Sequence, residues 1–412
     1  MPTSMIKSTL LASVASTRHK VVEHRRHLHA HPEPSFGETR TGAYVAETLR
    51  KLGIPFSEGW CQTHGAAGII AQIDGKEPGS GRMALRADMD ALPIQEVDRP
   101  HASTVPGWMH ACGHDAHTAC LLGAVEVLHT TRDEWQGSVQ CVFQPGEEIL
   151  PGGASVLVKE GALHTDAPIT GPGKASGPLV DGIVGQHVYP QIDAGVVGFR
   201  SGIYMAAADE LQIRILGKGG HAALPHRAID PVVVAAHVIT ALQTVVSRSC
   251  DPTQPAVLTI GKIRGGHARN IIPDEVVLDG TLRTYDEATA KALRLAIARV
   301  AQSTAAAFGA RAEVDLAVGY PPVINAPELT AHCRERAIEL LGQEKVVELP
   351  LRMTGEDFSF YQREVQGCFY RLGTGGDGPG CRSGLHTADF DINEDALTTG
   401  TAMMAWLAAT GQ

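Results

Sequence analysis

The chain has 412 residues, of which 43% are hydrophobic and 19% are charged, and this balance excludes wholesale disorder. Its 35 basic and 45 acidic residues give a formal net charge of −10, which argues against nucleic acid or an anionic membrane as a main partner. Its 8 cysteines are too few for a disulfide framework, so we expect a cytoplasmic protein. The length predicts two or three domains.

The apolar run at 10–15 predicts a first helix and not a secretory signal, because polar and charged residues follow it directly. No stretch approaches the roughly 18 uninterrupted apolar residues of a membrane-spanning helix, so we predict no membrane partner. A second helix is indicated by an apolar face that ends at Gly53, formed by Tyr44, Val45, Leu49 and Leu52.

Short apolar segments alternate with helical segments up to about residue 200. The predicted strands are 68–73, 83–86, 139–143 and 183–186. Between the second and third lies a helix with four apolar residues on one side: Leu121, Leu122, Val125 and Leu128. This alternation predicts an α/β fold with a mostly parallel, open sheet. The Pro- and Gly-rich segment 167–178 is interpreted as a surface loop.

Residues 201–318 follow another pattern. Strands are predicted around Leu211–Ile215, at 256–263, at 275–283 and around Val314–Val318, with helices at 232–246 and 286–308. The order β-α-β-β-α-β is that of a ferredoxin-like unit. We therefore predict that 201–318 is a domain inserted into a first domain formed by 1–200 and 319–412, which includes 353–358.

The most informative stretch is 109–117, with the sequence MHACGHDAH, just before a predicted helix. Cys112 and His114 are two residues apart, and thiolate and imidazole are ligands that suit zinc and other late divalent metals. The alternative is a Cys/His-rich turn that binds no metal.

Carboxylates follow two of the predicted strands, at the sheet edge where α/β proteins bind ligands. Glu147 and Glu148 allow one carboxylate to hold a metal while the other moves protons, although a solvated acidic turn is the alternative. Asp88 and Asp90 are predicted to bind metal or to accept hydrogen bonds from ligating histidines, and the alternative is a capped turn.

His187 and His386 are isolated histidines, and each by itself is more typical of a structural residue. Together with Cys112, His114 and Glu148 they make five donors, too many for one tetrahedral zinc ion but suitable for two metals. We therefore predict two divalent metal ions per subunit, with zinc preferred and manganese, nickel or cobalt as alternatives.

Three polar residues of the predicted inserted domain are candidates for substrate recognition: His221, Asn270 and Arg283. A mobile lid carrying them would suit an anionic, carboxylate-bearing substrate. The alternative is that the nearby glycines serve turns and that Arg283 forms a surface ion pair.

These stretches resemble, in order and over nearly the whole chain, the M20 metallopeptidases, in particular hippurate hydrolases, aminoacylases and auxin-conjugate amidohydrolases. The matching segments are 26–34 (RHLHAHPEP), 85–93 (LRADMDALP), 110–117, 143–148 (FQPGEE), 353–358 (MTGEDF) and 385–387 (LHT), together with 217–226, 265–273 and 280–284 of the predicted lid. The sequence departs from the family pattern in three places: at Gln186, which precedes His187, at His267, and in the long segment 167–178.

The resemblance implies a two-metal catalytic domain and a lid that also mediates dimerisation, giving a homodimer or a dimer-based tetramer. It places the metal ligands on the five donors named above and the general base on Glu147. It also implies that His221 contacts the scissile carbonyl across the dimer, and that Asn270 and Arg283 hold the carboxylate side of the substrate.

The resulting prediction is a metal-dependent amidohydrolase that cleaves linear amides of N-acyl amino acids such as hippurate. Deacetylation of N-acetyl amino acids or diamino acids, and dipeptide cleavage, are the alternatives within the family. A noncatalytic metal- or amino-acid-binding protein and a cysteine hydrolase with Cys112 as nucleophile are the alternatives of another class. Glu147 beside Glu148 favours catalysis, because binding alone does not require a second carboxylate.

Overall fold

The computed structural model describes residues 3–411, which separate into two compact units. The first unit consists of the described part of Met1–Gly202, Ile324–Pro350 and the described part of Asp357–Gln412. The second consists of Ile203–Val323 and Leu351–Glu356. The segment 353–358, expected in the first domain, is therefore divided, since only Asp357 and Phe358 belong to the first unit.

The helices of the described residues are α1 (Thr3–Ala30), α2 (Thr39–Leu52), α3 (His114–Thr130), α4 (Gly153–Glu160), α5 (Ala167–Thr170), α6 (Pro231–Thr244), α7 (Glu287–Ala307), α8 (Pro327–Leu341) and α9 (Asp395–Thr410). The strands are β1 (Phe56–Trp60), β2 (Gly68–Asp74), β3 (Arg82–Asp88), β4 (Ser138–Gln144), β5 (Gly182–Asp193), β6 (Val197–Phe199), β7 (Gly202–Met205), β8 (Ala207–Leu216), β9 (Gly220–His221), β10 (Ala256–Gly265), β11 (Ile271–Ile272), β12 (Glu275–Thr284), β13 (Arg311–Tyr320), β14 (Val323–Asn325), β15 (Val346–Glu348) and β16 (Gln366–Gly375).

The first unit is built on an eight-stranded sheet with the order β1-β2-β4-β3-β5-β16-β6-β15. Its central strands β4, β3, β5 and β16 run parallel, whereas the β1–β2, β2–β4 and β16–β6 pairs are antiparallel. The central strands β3 and β4 are buried along almost their whole length, as expected where helices cover both faces of a parallel sheet. The predicted α/β class with a mostly parallel sheet is confirmed.

Local signals in the sequence produce several of these boundaries. Gly53 ends α2 in a left-handed conformation, with φ 71°, and its N–H donates to the carbonyl of Arg50 at 3.1 Å. The surface-loop interpretation of 167–178 is wrong at its start. Ala167 and Pro168 are buried in the single turn α5, and Ser57 of β1 donates a hydrogen bond to the Ala167 carbonyl at 2.8 Å.

The second unit is an antiparallel sheet with the order β10-β12-β8-β13 and the helices α6 and α7 packed on it. The chain order β8-α6-β10-β12-α7-β13 is that of a ferredoxin-like unit. Both helices begin at an aspartate that caps them: Asp230 accepts from the Val232 N–H at 2.9 Å, and Asp286 accepts from the Thr289 N–H at 2.6 Å.

By length and composition alone, one helical segment among the described residues, Pro231–Ser249, is apolar enough to cross a membrane. Its buried face contains Val234, Val238 and Leu242, which belong to the hydrophobic core of the second unit. This one-sided burial is typical of a helix that packs on a sheet in a folded domain.

Arg25 connects α1 to two distant segments of the first unit. Its side chain is buried, and it donates to Asp115 at 2.9 Å and to Asp391 at 2.7 Å. One helical turn later, His29 lies 2.8 Å from Asp115 and 3.0 Å from Glu96. Burial opposes protonation of His29, but these two carboxylates outweigh it and raise the pKa of its imidazole.

Substitution Arg25→Leu is expected to lower the free energy of unfolding by about 3–5 kcal/mol, because the carboxylates of Asp115 and Asp391 would lose the buried charge that they share. Arg26→Leu is the matched control. Arg26 also binds a carboxylate, that of Glu394 at 2.6 Å, but it is 53% exposed, so we expect a loss of about 1 kcal/mol at most. Urea unfolding with a chelator present measures both variants without a contribution from bound metal. Equal losses would contradict the importance assigned to the buried network.

The same substitution is expected to change the acid side of the stability profile. Burial opposes ionisation of Asp115, but the charge of Arg25 outweighs it and holds the pKa of that carboxyl well below its usual range. The stabilisation is therefore complete above the unfolded-state pKa of about 3.9 and is lost as the pH falls towards the folded-state value. In Arg25→Leu, the free energy of unfolding should therefore fall less steeply than in the wild type as the pH drops below about 4.

Candidate metal centre

The carboxyl ends of the central strands bring the predicted site residues to one edge of the sheet. Asp88 ends β3 and pairs with Gln144, which ends the neighbouring parallel strand β4. Glu147 and Glu148 follow β4 within four residues, and His187 lies within β5. Because parallel strands end at the same edge, these side chains meet there, as the sequence predicts.

The structure brings together all five residues that the sequence nominates as metal ligands. The Sγ of Cys112 lies 3.5 Å from Nε2 of His187 and 3.3 Å from Nε2 of His386. The Oε1 of Glu148 lies 3.3 Å from Nε2 of His386 and 3.8 Å from Nε2 of His114. Ligand atoms of Cys112, His114 and His187 all lie within 4.8 Å of one another.

Hydrogen bonds determine which nitrogen of two of these histidines faces the cluster. Nδ1 of His187 lies 2.8 Å from the carbonyl oxygen of Val188, which can only accept, so Nδ1 carries the proton. Nδ1 of His114 lies 3.1 Å from Oδ1 of Asp90 and donates to it in the same way. With the imidazoles neutral, as metal binding requires, each Nε2 presents a lone pair to the cluster. A hydrogen bond from the other ring nitrogen to a carboxylate or a backbone carbonyl is typical of metal-binding histidines.

The donor set fits divalent cations. His114 Nε2 is buried and makes no hydrogen bond of good geometry within the described residues, and the buried Glu148 Oε1 has an ion-pair contact of 3.3 Å with His386 Nε2 but no hydrogen bond of good geometry there. Buried polar atoms without a partner are costly and rare. Because these two atoms converge with a thiol and two further imidazoles, a cation of the zinc type would satisfy them. Burial raises the pKa of the Cys112 thiol, and a bound cation would lower it.

Asp90 lies where the sequence predicts a partner for a ligating histidine. Besides its Oδ1 contact with His114, its Oδ2 accepts from the Glu148 N–H at 2.9 Å and from the Ser35 hydroxyl at 2.7 Å. Burial opposes its ionisation, but the hydrogen bonds led by that from His114 lower its pKa. Asp90 therefore orients one candidate ligand and the backbone of another.

Asp88 has other partners. Its Oδ2 accepts from Arg86 Nη1 at 2.5 Å, and its Oδ1 lies 2.5 Å from Nδ1 of His117, whereas Nε2 of His114 is 3.6 Å away. Burial opposes ionisation of Asp88, but the Arg86 charge outweighs it and holds the pKa well below its usual range. Because Nε2 of His117 accepts from the Val188 N–H at 2.9 Å, its Nδ1 must donate to Asp88.

His117 is thus a functional residue to which sequence reasoning assigns no role. It links Asp88 to the backbone beside His187, and so supports the end of β5. The spacing gives a signal in retrospect, since His114 and His117 stand three residues apart at the start of α3 and share one face of the helix.

Glu147 lies beside the candidate ligands and is buried. Its carboxylate, with ligand atoms of His114 and Glu148, forms a group in which all atoms lie within 4.8 Å of one another. Its Oε1 also accepts from the Asp357 N–H at 3.4 Å. Glu147 is therefore placed next to the five-donor cluster and oriented by a neighbouring backbone amide.

Asp357 is a second residue that sequence reasoning leaves without a role. Its buried carboxylate accepts from Arg86 Nη2 at 2.8 Å, from Gln144 Nε2 at 2.8 and 2.9 Å, and from the Ala154 N–H at 2.9 Å. These bonds hold both ends of the turn that carries Glu147. The signal was the acidic pair in the segment 353–358, which the resemblance cites without a function.

His386 reaches the cluster with a strained backbone. Its φ is 63°, an unusual value for a residue with a side chain, and its N–H donates to the Ala111 carbonyl at 2.8 Å. The contacts with Cys112 and Glu148 raise the pKa of His386 to about 10. Its side chain is 50% exposed, whereas those of His114 and Glu148 are 0% and 13% exposed, so His386 forms the solvent side of the cluster.

In the second unit, His221 and Asn270 lie together. His221 of β9 is paired with Ile271 of β11, and the Ala222 N–H donates to the carbonyl of Asn270 at 3.1 Å. Nδ1 of His221 accepts from the Ala223 N–H at 3.1 Å, so the proton is on Nε2. The exposed His221 therefore offers an N–H donor to an external acceptor.

Arg283 does not join this pair. On β12 it is paired with Ala208 at the start of β8, whereas Glu275 is paired with Leu216 at the end of β8 that leads to His221. Residues 275 and 283 are eight positions apart on an extended strand, which corresponds to about 27 Å. Of the three predicted substrate contacts, the structure brings two together and places the third near the opposite end of the sheet.

The chain belongs to peptidase family M20/M25/M40, whose model matches residues 84–410. It is 39% identical over 374 residues to N-acetyl-L-cysteine deacetylase of Bacillus subtilis, covering 90% of this chain and 83% of that protein. It is 38% identical over 413 residues to IAA-amino acid hydrolase ILR1-like 2 of Arabidopsis thaliana, covering 98% of this chain and 89% of that protein.

A solved structure is similar along the whole fold. The Bacillus subtilis YXEP protein, described as a dinuclear metal binding peptidase from the M20 family, is 34% identical with a TM-score of 0.77, over 96% of this chain and 98% of that one. The predicted family is therefore confirmed, and so is the predicted reaction class, hydrolysis of linear amides.

Proposed function

We propose that the protein hydrolyses the amide bond of N-acyl amino acids, with two divalent metal ions held by Cys112, His114, Glu148, His187 and His386. The observation that carries the proposal is the convergence of these five donors beside Glu147, a buried carboxylate that the donor set does not require. Zinc is the preferred ion, and manganese, nickel or cobalt suit the same donors. The printed activities of the two relatives support this substrate class.

Cations bound at these donors would lower the pKa of water and polarise a carbonyl oxygen. Glu147 accepts a proton from the water that attacks the amide carbon, and then delivers it to the nitrogen as the C–N bond breaks. The products are a carboxylic acid and a free amino acid. The Asp357 N–H holds the Glu147 carboxylate in place for both proton transfers.

His221 is proposed to stabilise the negative charge that develops on the carbonyl oxygen, because its Nε2–H is exposed and free to donate. Asn270 and Arg283 are proposed to bind the carboxylate side of the substrate. Since about 27 Å of strand separates the two ends of β12, Asn270 and Arg283 of one chain cannot contact one small substrate. We therefore assign them to sites of two different subunits.

The second unit offers a surface for a second copy of this chain. The ten-residue strand β10 is an edge of its sheet, and Val257 and Ile263 on it are 38% and 61% exposed. On α6, Val232 and Val233 are each 50% exposed. An unpaired edge with exposed apolar residues is suited to pairing with another strand. We propose that two copies pair at β10 to form a homodimer, with this unit also acting as the lid.

The cysteine-hydrolase alternative is disfavoured by the position of Cys112. Its side chain is buried, and burial raises the pKa of its thiol, whereas a nucleophilic cysteine needs a lowered pKa and access to substrate. The deacetylase alternative is a difference of acyl group within the same mechanism. The relative named N-acetyl-L-cysteine deacetylase favours testing it directly.

The test is amide hydrolysis of hippurate, N-acetylmethionine, N-acetylphenylalanine and indole-acetyl-aspartate, with metal content measured on the same preparation. We expect turnover of at least one substrate, its loss on chelation, and its recovery with zinc, manganese, cobalt or nickel. The rates on acetyl and aromatic acyl substrates separate the two family alternatives. Turnover that persists after verified metal removal would refute the mechanism, and bound metal without turnover would favour a binding role.

A further inference from the structure

A buried carboxyl outside the metal cluster contacts the turn that carries Glu147. Glu38 precedes α2, and at such a position an acidic side chain usually accepts from the first N–H groups of the helix. Here Glu33 performs that task, accepting from the Thr41 N–H at 2.8 Å. The fully buried Glu38 turns the other way, and its Oε1 accepts from the N–H of Gly146 at 2.7 Å.

Gly146 is a position where the backbone cannot shift freely. Its φ is 65°, and a Cβ there would lie 2.7–2.9 Å from ring carbons of Phe36, two residues before Glu38. Its carbonyl accepts from the Gly153 N–H at 2.8 Å, so both the N–H and the carbonyl of this residue are hydrogen-bonded. Glu147 and Glu148 are the next two residues, and their side chains start from this fixed point.

The same segment also reaches this turn by a second route. The Ser35 hydroxyl donates to Asp90, which in turn accepts from the Glu148 N–H. We name residues 35–38 the support segment. Phe36 and Glu38 contact the turn directly, and Ser35 contacts it indirectly through Asp90. Three residues of the support segment therefore hold the turn.

We propose that Glu38 is a positioning residue, which fixes the turn carrying Glu147 and Glu148 by accepting the Gly146 N–H. This inference rests on the proposed function for its effect on turnover, but the contact itself does not depend on any substrate. Its other oxygen, Oε2, makes no hydrogen bond of good geometry within the described residues. The role proposed for position 38 therefore depends on the one oxygen that accepts the Gly146 N–H.

The protonation state of Glu38 indicates which substitution should preserve its role. Burial, reinforced by the charge of Asp90, raises the pKa of Glu38 to about 8. Glutamine keeps the shape of the side chain and an oxygen that can accept the Gly146 N–H. Alanine removes the acceptor, and leaves the Gly146 N–H buried without a partner.

The experiment compares Glu38→Ala, Glu38→Gln and the control Glu33→Ala at pH 7. Glu33 is a buried carboxyl of the neighbouring sequence that binds α2 and not the turn. We expect Glu38→Ala to lower kcat by about 10- to 100-fold with KM changed less than about twofold, because a displacement of about 1 Å can cost about 100-fold. Glu38→Gln should keep kcat within about threefold, and Glu33→Ala should lower Tm without this effect on kcat.

Amide hydrogen exchange of residues 144–150 provides a readout that does not depend on activity. Glu38→Ala should exchange at Gly146 at least about tenfold faster, and the other two variants should not. Unchanged exchange in Glu38→Ala, or equal effects of alanine and glutamine, would overturn the proposal. Faster exchange with unchanged kcat would overturn its catalytic consequence. If the wild-type protein hydrolyses none of the substrates, the proposed function fails, and the exchange result alone decides the role of Glu38.

Discussion

Glu147→Ala is expected to lower kcat by about 1,000-fold or more while both metal ions stay bound, because the variant loses the group that moves the proton but none of the five donors. Metal stoichiometry on the purified variant, and kcat on the best substrate of the panel, measure the two effects separately. KM should change little, since Glu147 acts mainly on the transition state.

The adjacent Glu148→Ala is the contrasting variant. Glu148 faces His114 and His386 within the cluster, so its loss should reduce metal affinity and turnover together. If Glu147→Ala retains near-wild-type kcat, or loses its metal as Glu148→Ala does, the assignment of Glu147 as base is wrong. The pair of variants therefore distinguishes proton transfer from metal binding at neighbouring positions.

Two inactive variants are expected to restore activity to each other if His221 acts across a dimer. In a heterodimer of His221→Ala and Glu147→Ala, the site on the first chain keeps its Glu147 and receives an intact His221 from its partner. The other site lacks both groups. Purified heterodimers should therefore show about half the wild-type activity per dimer, and an equilibrated equal mixture about one quarter.

The matched control is the mixture of Glu147→Ala with Glu148→Ala. Both substitutions disable the site on their own chain, so heterodimers of these two should remain inactive. Mass spectrometry of the intact dimers verifies that exchange has occurred. Absence of rescue in verified His221→Ala/Glu147→Ala heterodimers would show that the site is not shared.

Much of the site was predictable because parallel strands impose a rule. Residues at the carboxyl ends of neighbouring parallel strands meet at one edge, and so Asp90 and Glu148 could be grouped without knowing any distance. His187 was grouped with them because its strand was predicted to end at 186, although β5 continues to Asp193. The helices and strands of the second unit could also be predicted, because the alternation of apolar and polar residues along a strand and the capping aspartates of the helices are local signals.

The remaining features depend on contacts that no local pattern encodes. Asp357 binds Gln144 from 213 positions away, and His117 acts through the backbone of Val188, 71 positions away. Asn270 and Arg283 show the reverse case. They are only 13 positions apart and invite a common role, but an extended strand places them far from each other. The strand predicted at 275–283 already implies this separation, and the observed register of β12 agrees with it.

The uneven exposure of the five-donor cluster has a consequence for exchange and inhibition. One group of donors, Cys112, His114 and His187, is buried. The other group consists of the same Cys112 with Glu148 and His386, and its histidine is exposed to solvent. A chelator or a metal-binding inhibitor would approach from the His386 side, and an ion on that side should leave sooner than one held by the buried group. Stepwise depletion should then yield a half-loaded enzyme, into which a different second ion can be introduced to give a mixed-metal form.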